Sequence, residues 1–379
     1  MKTLFGKWHI ALTIGASLAA SALTGCGLMK DEPEDCATAP ATSVSVKFKY
    51  DYTMAGTNVF SREVGGVTLY VFDQAGNLLT ERSANYANGI AGAAFAMDIT
   101  DAVIHNPQTY TLYALAVGNH AGYEASLLTP GATFTRSALQ TGLSTASAME
   151  LTLSRNGGVV PVIPNGNKDT RIDTTWVTLS PQKLVIPEIN FDPVPYDEQP
   201  EDFHAEVTVP LMRVTNHLEC IFWLSDFPSA LRKEDFTISV QGARNGNLGI
   251  TGTPAAGSEA LTYEATFMWV ENAYRCSDGV TRPVVHAIFG LSRLMADSGE
   301  QIKVTNALAG GRVTTVPSVN RLLANGREAY TGLNYSEQEY LDREHNYCLE
   351  FPIDDVIPKY VNVSIGILSW SKRIQIVNL

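Results

Sequence analysis

Alternation of apolar and polar residues is the feature that most narrows what this chain can fold into. In residues 44–52, Val44, Val46, Phe48, Tyr50 and Tyr52 take every second position, with Ser45, Lys47, Lys49 and Asp51 between them. That period belongs to a strand with one buried face; a helix would repeat its apolar residues every three to four positions. Residues 67–72 are more uniformly apolar and predict a strand buried on both faces. After a turn at Asp73–Asn77, residues 78–82 can return from it, and 110–117, 149–153, 174–179 and 183–186 complete the first half. In the second half, 205–209 leads through Pro210 into 218–224, and 236–240 follows. Residues 261–270 and 284–294 read as a long hairpin, with 347–351, 361–368 and 370–379 after it. Helical candidates are short, at 137–141 and 318–324. Strands at regular spacing, separated by turn residues, predict β-sandwiches.

The chain has 379 residues, too many for one ordinary sandwich. The best boundary is residues 192–202, which carry three prolines and five acids without any periodicity. A weaker one, 156–169, is rich in Gly, Asn and Pro. The first choice places an N-terminal β-sandwich at 43–195 and a C-terminal one at 203–379.

The N-terminus has a different character. Lys2 and Lys7 precede an apolar run at residues 10–22, long enough for a signal-peptide core and too short to span a bilayer. Leu23-Thr24-Gly25-Cys26 follows and has the form of a bacterial lipobox, predicting a lipoprotein signal peptide at 1–25 and lipidation of Cys26. Residues 26–42 read as a flexible, lipid-anchored tether. Gly27 follows the lipid cysteine, so an inner-membrane retention Asp is missing there. Lys30, Asp31 and Glu32 resemble the surface-export signal of Bacteroidetes lipoproteins. The net charge is −12; removing residues 1–25 takes away Lys2 and Lys7 and no acid, so it becomes −14. This balance argues against nucleic acid as a partner, since phosphate binding needs a basic face.

Motifs of catalysis are missing. The sequence has no HExxH, P-loop or Gly-x-Ser-x-Gly elbow, and Ser292 lacks the second glycine of the last. His105, His120, His204, His217, His286 and His345 are scattered without ligand spacing, so no metal or other cofactor is expected. The acid-rich linker lacks the Asp-x-Asp-x-Asp-Gly pattern of a calcium loop. With Cys26 lipidated, Cys36, Cys220, Cys276 and Cys348 remain in an oxidising compartment. Cys220–Cys348 is the favoured candidate disulfide, because both lie on expected strands of the second half, although all four can also stay reduced. Trp176, Trp223, Trp269 and Trp370 could form a glycan-stacking platform, but each falls within or beside an expected strand and reads better as core.

Three stretches together resemble the FimB-type anchor subunits of Bacteroidales fimbriae, lipoproteins of type V pili. The first comprises Cys26, the acidic tether, Cys36, Val46-Lys-Phe-Lys-Tyr-Asp-Tyr-Thr-Met54, Phe60-Ser-Arg-Glu-Val64 and Val67-Thr-Leu-Tyr-Val-Phe-Asp-Gln-Ala-Gly76. The second is Val209-Pro-Leu-Met-Arg-Val-Thr-Asn216. The third is Glu339-Tyr-Leu-Asp-Arg343 with Tyr347-Cys-Leu-Glu-Phe351, then Trp370, Gln375, Asn378 and Leu379. The resemblance implies two transthyretin-like β-sandwich domains in tandem, no enzymatic activity, and a lipoprotein that ties a fimbrial shaft to the outer membrane and limits its length. Its partners would be shaft or accessory subunits, joined by β-strand complementation, with this chain receiving a strand because no long tail follows its last one. Glu34-Asp35-Cys36 departs from the family's Ser-Pro-Cys, the first domain has no second cysteine, and residues 88–175 carry no motif. The rival reading is a surface glycan-binding lipoprotein.

Overall fold

A computed structural model describes residues 38–85, 95–118, 132–162, 172–194, 198–226, 231–330, 332–367 and 370–377. The chain divides into two compact bodies. Of the described residues, the small one joins 38–41 with 190–194 and 198–203, and the large one holds those of Thr42–Ile189 and those from His204 onward. In the small body Thr38 and Val194 exchange backbone hydrogen bonds (3.0 and 3.1 Å), and the N–H of Ala41 donates to Asp202 Oδ1 at 2.7 Å.

The first strands in chain order are β1 (Thr42–Lys49), β2 (Val64–Phe72), β3 (Leu78–Asn85), β4 (Ala96–Asp98), β5 (Thr109–Gly118), β6 (Phe134–Arg136), β7 (Glu150–Leu153) and β8 (Val159–Val160). Then come β9 (Thr175–Thr178), β10 (Gln182–Val185), β11 (Phe203–Arg213), β12 (Thr215–Trp223), β13 (Phe236–Ala243), β14 (Asn247–Gly249) and β15 (Leu261–Glu264). The last are β16 (Phe267–Arg275), β17 (Thr281–Ser292), β18 (Gln301–Asn306), β19 (Arg312–Val316), β20 (Asn346–Pro352), β21 (Tyr360–Ile367) and β22 (Trp370–Val377). The expected all-β class is what the chain adopts.

Among the described residues, four sheets form two face-to-face pairs. The eight-stranded sheet runs β3-β2-β5-β9-β11-β1-β4, with β10 also on β5, and the three-stranded sheet runs β14-β7-β6. Tyr70, Phe72, Leu115, Val177 and Met212 of the former pack with Leu151 and Leu248 of the latter. The second pair is β16-β17-β12-β20-β21-β22 on β19-β18-β13-β15-β8. Leu218, Cys220, Phe222, Phe289 and Phe351 meet Ile238, Val240, Tyr263, Ile302 and Val304 there. Such layers bury alternate residues of every strand, so the sequence period is read directly as burial. In β1, Val44, Val46 and Phe48 are buried with exposed or half-buried residues between them, and β2 is buried at all positions but Thr68.

Sheet membership does not follow sequence halves. β11 lies in the first sheet, β14 from the second half of the chain pairs with β7, and β8 from the first half pairs in parallel with β15. Three local expectations change. Residues 137–141 are not helical: Ser137 Oγ donates to the carbonyl of Ala148 and accepts from Glu150 N–H (both 2.9 Å), so the serine ties this segment to β7 instead of starting a helix. β11 runs through Pro210 without a break, because the proline carbonyl still takes the Leu179 N–H at 2.9 Å. The stretch 261–270 splits, with β15 in one layer and β16 in the other. The helix at 318–324 is present as Val319–Ala324. A further helix, Glu337–Arg343, went unanticipated, although Ser336-Glu-Gln-Glu339 has capping-box form; Ser336 Oγ accepts the Glu339 N–H at 3.1 Å.

Candidate functional site

Cys26, Lys30, Asp31, Glu32 and Cys36 lie outside the described residues. The cysteine pairing is corrected by register. β12 and β20 run in parallel with Glu219 opposite Cys348 and Cys220 opposite Leu349. Cys220 is thus one residue out of step with Cys348, and neighbouring residues of a strand point to opposite faces. Cys220 sits in the sandwich core, Cys348 packs on the outer face with Ile221, Trp223 and Cys276, and no disulfide joins 220 to 348. Full burial pushes the Cys220 thiol well above its ordinary value.

The outer face of the six-stranded sheet carries a cluster of buried polar groups. It arises because β12, β17 and β20 place Glu219, His286 and Glu350 among apolar neighbours such as Ile221, Trp223 and Val284. The β16–β17 hairpin shifts register between Glu271 and Tyr274, and its tip returns over this face. Glu350 is 1% exposed and holds the tip: Tyr274 Oη–H donates to Oε1 at 3.0 Å and Ser277 N–H to Oε2 at 2.8 Å. The Arg282 guanidinium lies 4.8 Å from the centre of the Trp223 ring and is bound by Asp278 at 2.7 Å. Burial opposes the charge of this guanidinium, but the Asp278 bond and nearby acidic groups outweigh it and hold its pKa above the ordinary value.

His286 sits between two carboxylates, with Nδ1 2.8 Å from Glu219 and Nε2 3.4 Å from Glu271. Both nitrogens therefore face acids. Among the described residues no three His, Cys, Asp or Glu are arranged to hold a metal ion. The Trp269 ring lies 4.3 Å from His286 and nearly parallel to it, and Phe267 stacks on Trp269 at 5.4 Å. Trp269 is thus engaged by its neighbours and is no bare stacking plane. Trp176 and Trp223 are core residues at 1% exposure, and the Trp370 side chain lies outside the described residues. The reading of these tryptophans as core holds for the first two.

An exposed apolar strip lies elsewhere, at the edge of the five-stranded sheet. Val313 of edge strand β19 is exposed, as are Val356 and Ile357, and Val356 is held beside β19 by the Thr315 N–H, which donates to its carbonyl at 2.7 Å. Among the described residues no helix is long and apolar enough to cross a membrane.

The fold defines the class: all-β chains built of two-layered sheets. A structure from Bacteroides thetaiotaomicron, assigned provisionally as polysaccharide-binding, superposes with a TM-score of 0.63 at 23% identity, covering 88% of this chain and 98% of that one. An adhesin candidate from the same organism gives 0.62 at 18% identity, over 90% and 100%. The fimbrial anchor protein Mfa2 of Porphyromonas gingivalis gives 0.54 at 16% identity, over 89% and 99%. A search of curated protein sequences returns no significant match. The model of the fimbrillin-A associated anchor proteins Mfa1 and Mfa2 matches residues 32–376, and the chain belongs to that family. The expected kinship with fimbrial anchor subunits is therefore correct, and the family is one of structural adhesion proteins, with a fimbrial partner and a cell-surface setting.

Proposed function

We propose that this protein is an outer-membrane lipoprotein that anchors a fimbrial shaft at the cell surface and limits its length. The observation that carries the reading is the anchor-family match across nearly the whole chain. The lipobox at Cys26 supports attachment, and Lys30, Asp31 and Glu32 support an outward-facing location. From Cys26 to Thr38, where backbone pairing to Val194 begins, the chain can reach at most about 40 Å when extended. That length spaces the folded body from the lipid.

The shaft subunit is held by β-strand complementation, in which backbone bonds supply strength and alternate side chains supply register. The exposed Val313, Val356 and Ile357 beside β19 supply apolar surface for such a contact. The tandem transthyretin-like domains, 43–195 and 203–379, belong to the same proposal, with β8 and β14 exchanged between the layers. Glycan binding is the weaker reading, because Trp176 and Trp223 are buried and Trp269 is stacked within the fold.

Deletion of the gene tests the anchor role: fimbriae should be shed and longer than normal, and attached fimbriae of ordinary length would refute it. Cys26→Ala should move the protein from the membrane fraction to the soluble one. Unchanged partition would remove the lipid anchor from the proposal.

A further inference from the structure

The joint between the two sandwiches gathers residues from all three stretches that stood out in the sequence. Only Val214 separates β11 of the eight-stranded sheet from β12 of the six-stranded one. Val214 is fully buried, and its N–H donates to the Thr175 carbonyl at 2.9 Å, so the crossing carries no slack. Residues 50–54, which continue from β1, reach across it. Tyr50 is 1% exposed; its ring stands edge-on to Trp176 of the first sandwich at 5.5 Å and lies 6.4 Å from that of His345, which precedes β20 of the second. Tyr52 packs on the first core and lies 4.0 Å from the Arg343 guanidinium, and Met54 packs on the second core. Arg343 ends the helix Glu337–Arg343, where Glu339 binds it at 3.0 Å. The same helix holds Arg293 through Asp342, and Arg293 donates to the Gly252 carbonyl at 2.8 Å. Gly252 in turn rests on Val177, Met212 and Val214 so closely that a Cβ would sit 3.0–3.1 Å from each.

Domains of one chain move against each other by default, unless the contact between them is extensive. Here a taut strand crossing is flanked by contacts made from both sides. We propose that Tyr50, Tyr52, Arg343 and His345 lock the angle between the two sandwiches, so that the pair turns as one rigid body. The lock has a ring-on-guanidinium contact at its half-buried rim and a ring-on-imidazole contact at its buried centre. Planar groups set against each other hold direction as well as distance, which aliphatic contacts do not. Its use to an anchor rests on the reading above: a pull on the shaft reaches the other sandwich without the joint folding.

The lock is tested on the purified full chain, whether or not that chain anchors fimbriae. Spin labels on azide-bearing residues at positions 183 and 237, exposed on β10 and β13, report the distance between the sandwiches without using the native cysteines. Wild type should give one narrow distance distribution. Tyr52→Phe keeps the ring against Arg343 and should stay narrow. Tyr52→Ala and Arg343→Ala each remove the stack and should lose the narrow distribution, with circular dichroism checking that the sheets remain folded. Arg343→Lys keeps the charge without the planar group and gives the same reading where an alanine variant does not fold. A broad wild-type distribution, or folded stack-removing variants as narrow as Tyr52→Phe, would overturn the lock.

Discussion

Asp342 ties more of the second sandwich together than any motif in the sequence suggests. Its carboxylate takes two parallel bonds from Arg293 (2.8 and 2.7 Å) and one from Gln338 at 3.0 Å, while Arg293 also reaches the Gly252 carbonyl at 2.8 Å. Both partners are nearly buried, so removing one leaves the other charge stranded. Asp342→Ala should cost about 3–5 kcal/mol, read as a lower urea midpoint with an unchanged slope. His345 carries a pH signature. Burial, with Arg213 beside it, holds its pKa well below the ordinary 6.5, so the folded chain keeps this imidazole neutral while the unfolded chain protonates it. Stability is therefore lost as pH falls below about 6.5. Glu300 and Glu344, raised by burial, act in the opposite sense nearer pH 4.5 and are common to any His345 variant. His345→Gln should show a shallower fall of Tm between pH 6.5 and 5 than wild type; parallel curves would exclude the assignment. The residue scale was also where sequence reasoning was weakest. That Cys220 and Cys348 sit on strands was legible, but a one-residue difference in register decides whether two side chains can meet, and pairing register between distant segments leaves no local trace.

Elements were more legible, for a physical reason. A strand with one face in a core must alternate, so β1, β5, β7 and β13 announce themselves, and β2 shows its double burial by losing the alternation. Short strands carry no such signal: β8 has two residues and β14 three, and only their partners make them strands. The Glu337–Arg343 helix shows what closer attention to caps could have found. Ser336 satisfies the Glu339 N–H, and the helix delivers Arg343 between the rings of Tyr52 (4.0 Å) and Tyr335 (4.9 Å). Ser336→Ala should cost about 0.5–2 kcal/mol, with Ser336→Asp close to wild type, both measured by chemical denaturation. An equal loss in the two variants would mean that the serine acts otherwise than as a cap.

At the scale of the molecule, strand exchange makes the two sandwiches one thermodynamic unit. A chain ending at residue 195 lacks β11 and β14, which leaves β9 paired on one side with β5 and β7 with β6, and the first core without Met212, Val214 and Leu248. Expressed alone, that fragment should show no cooperative unfolding transition by circular dichroism. A sharp transition would mean that the first sandwich stands by itself. Length, composition and the acidic linker suggested two bodies joined end to end; they carry no information about which strand crosses over, since crossing is decided by long-range pairing.

The crossings also have a mechanical meaning. β14 is fastened in one layer pair by Leu248 and β8 in the other by Val160, while each continues covalently into the opposite half of the chain. A pull that tries to part the sandwiches must first draw one of these strands out of its partner's sheet, breaking its ladder bonds and uncovering its apolar side chain together. Tension is therefore shared by both halves from the outset, as it is in two links of a chain.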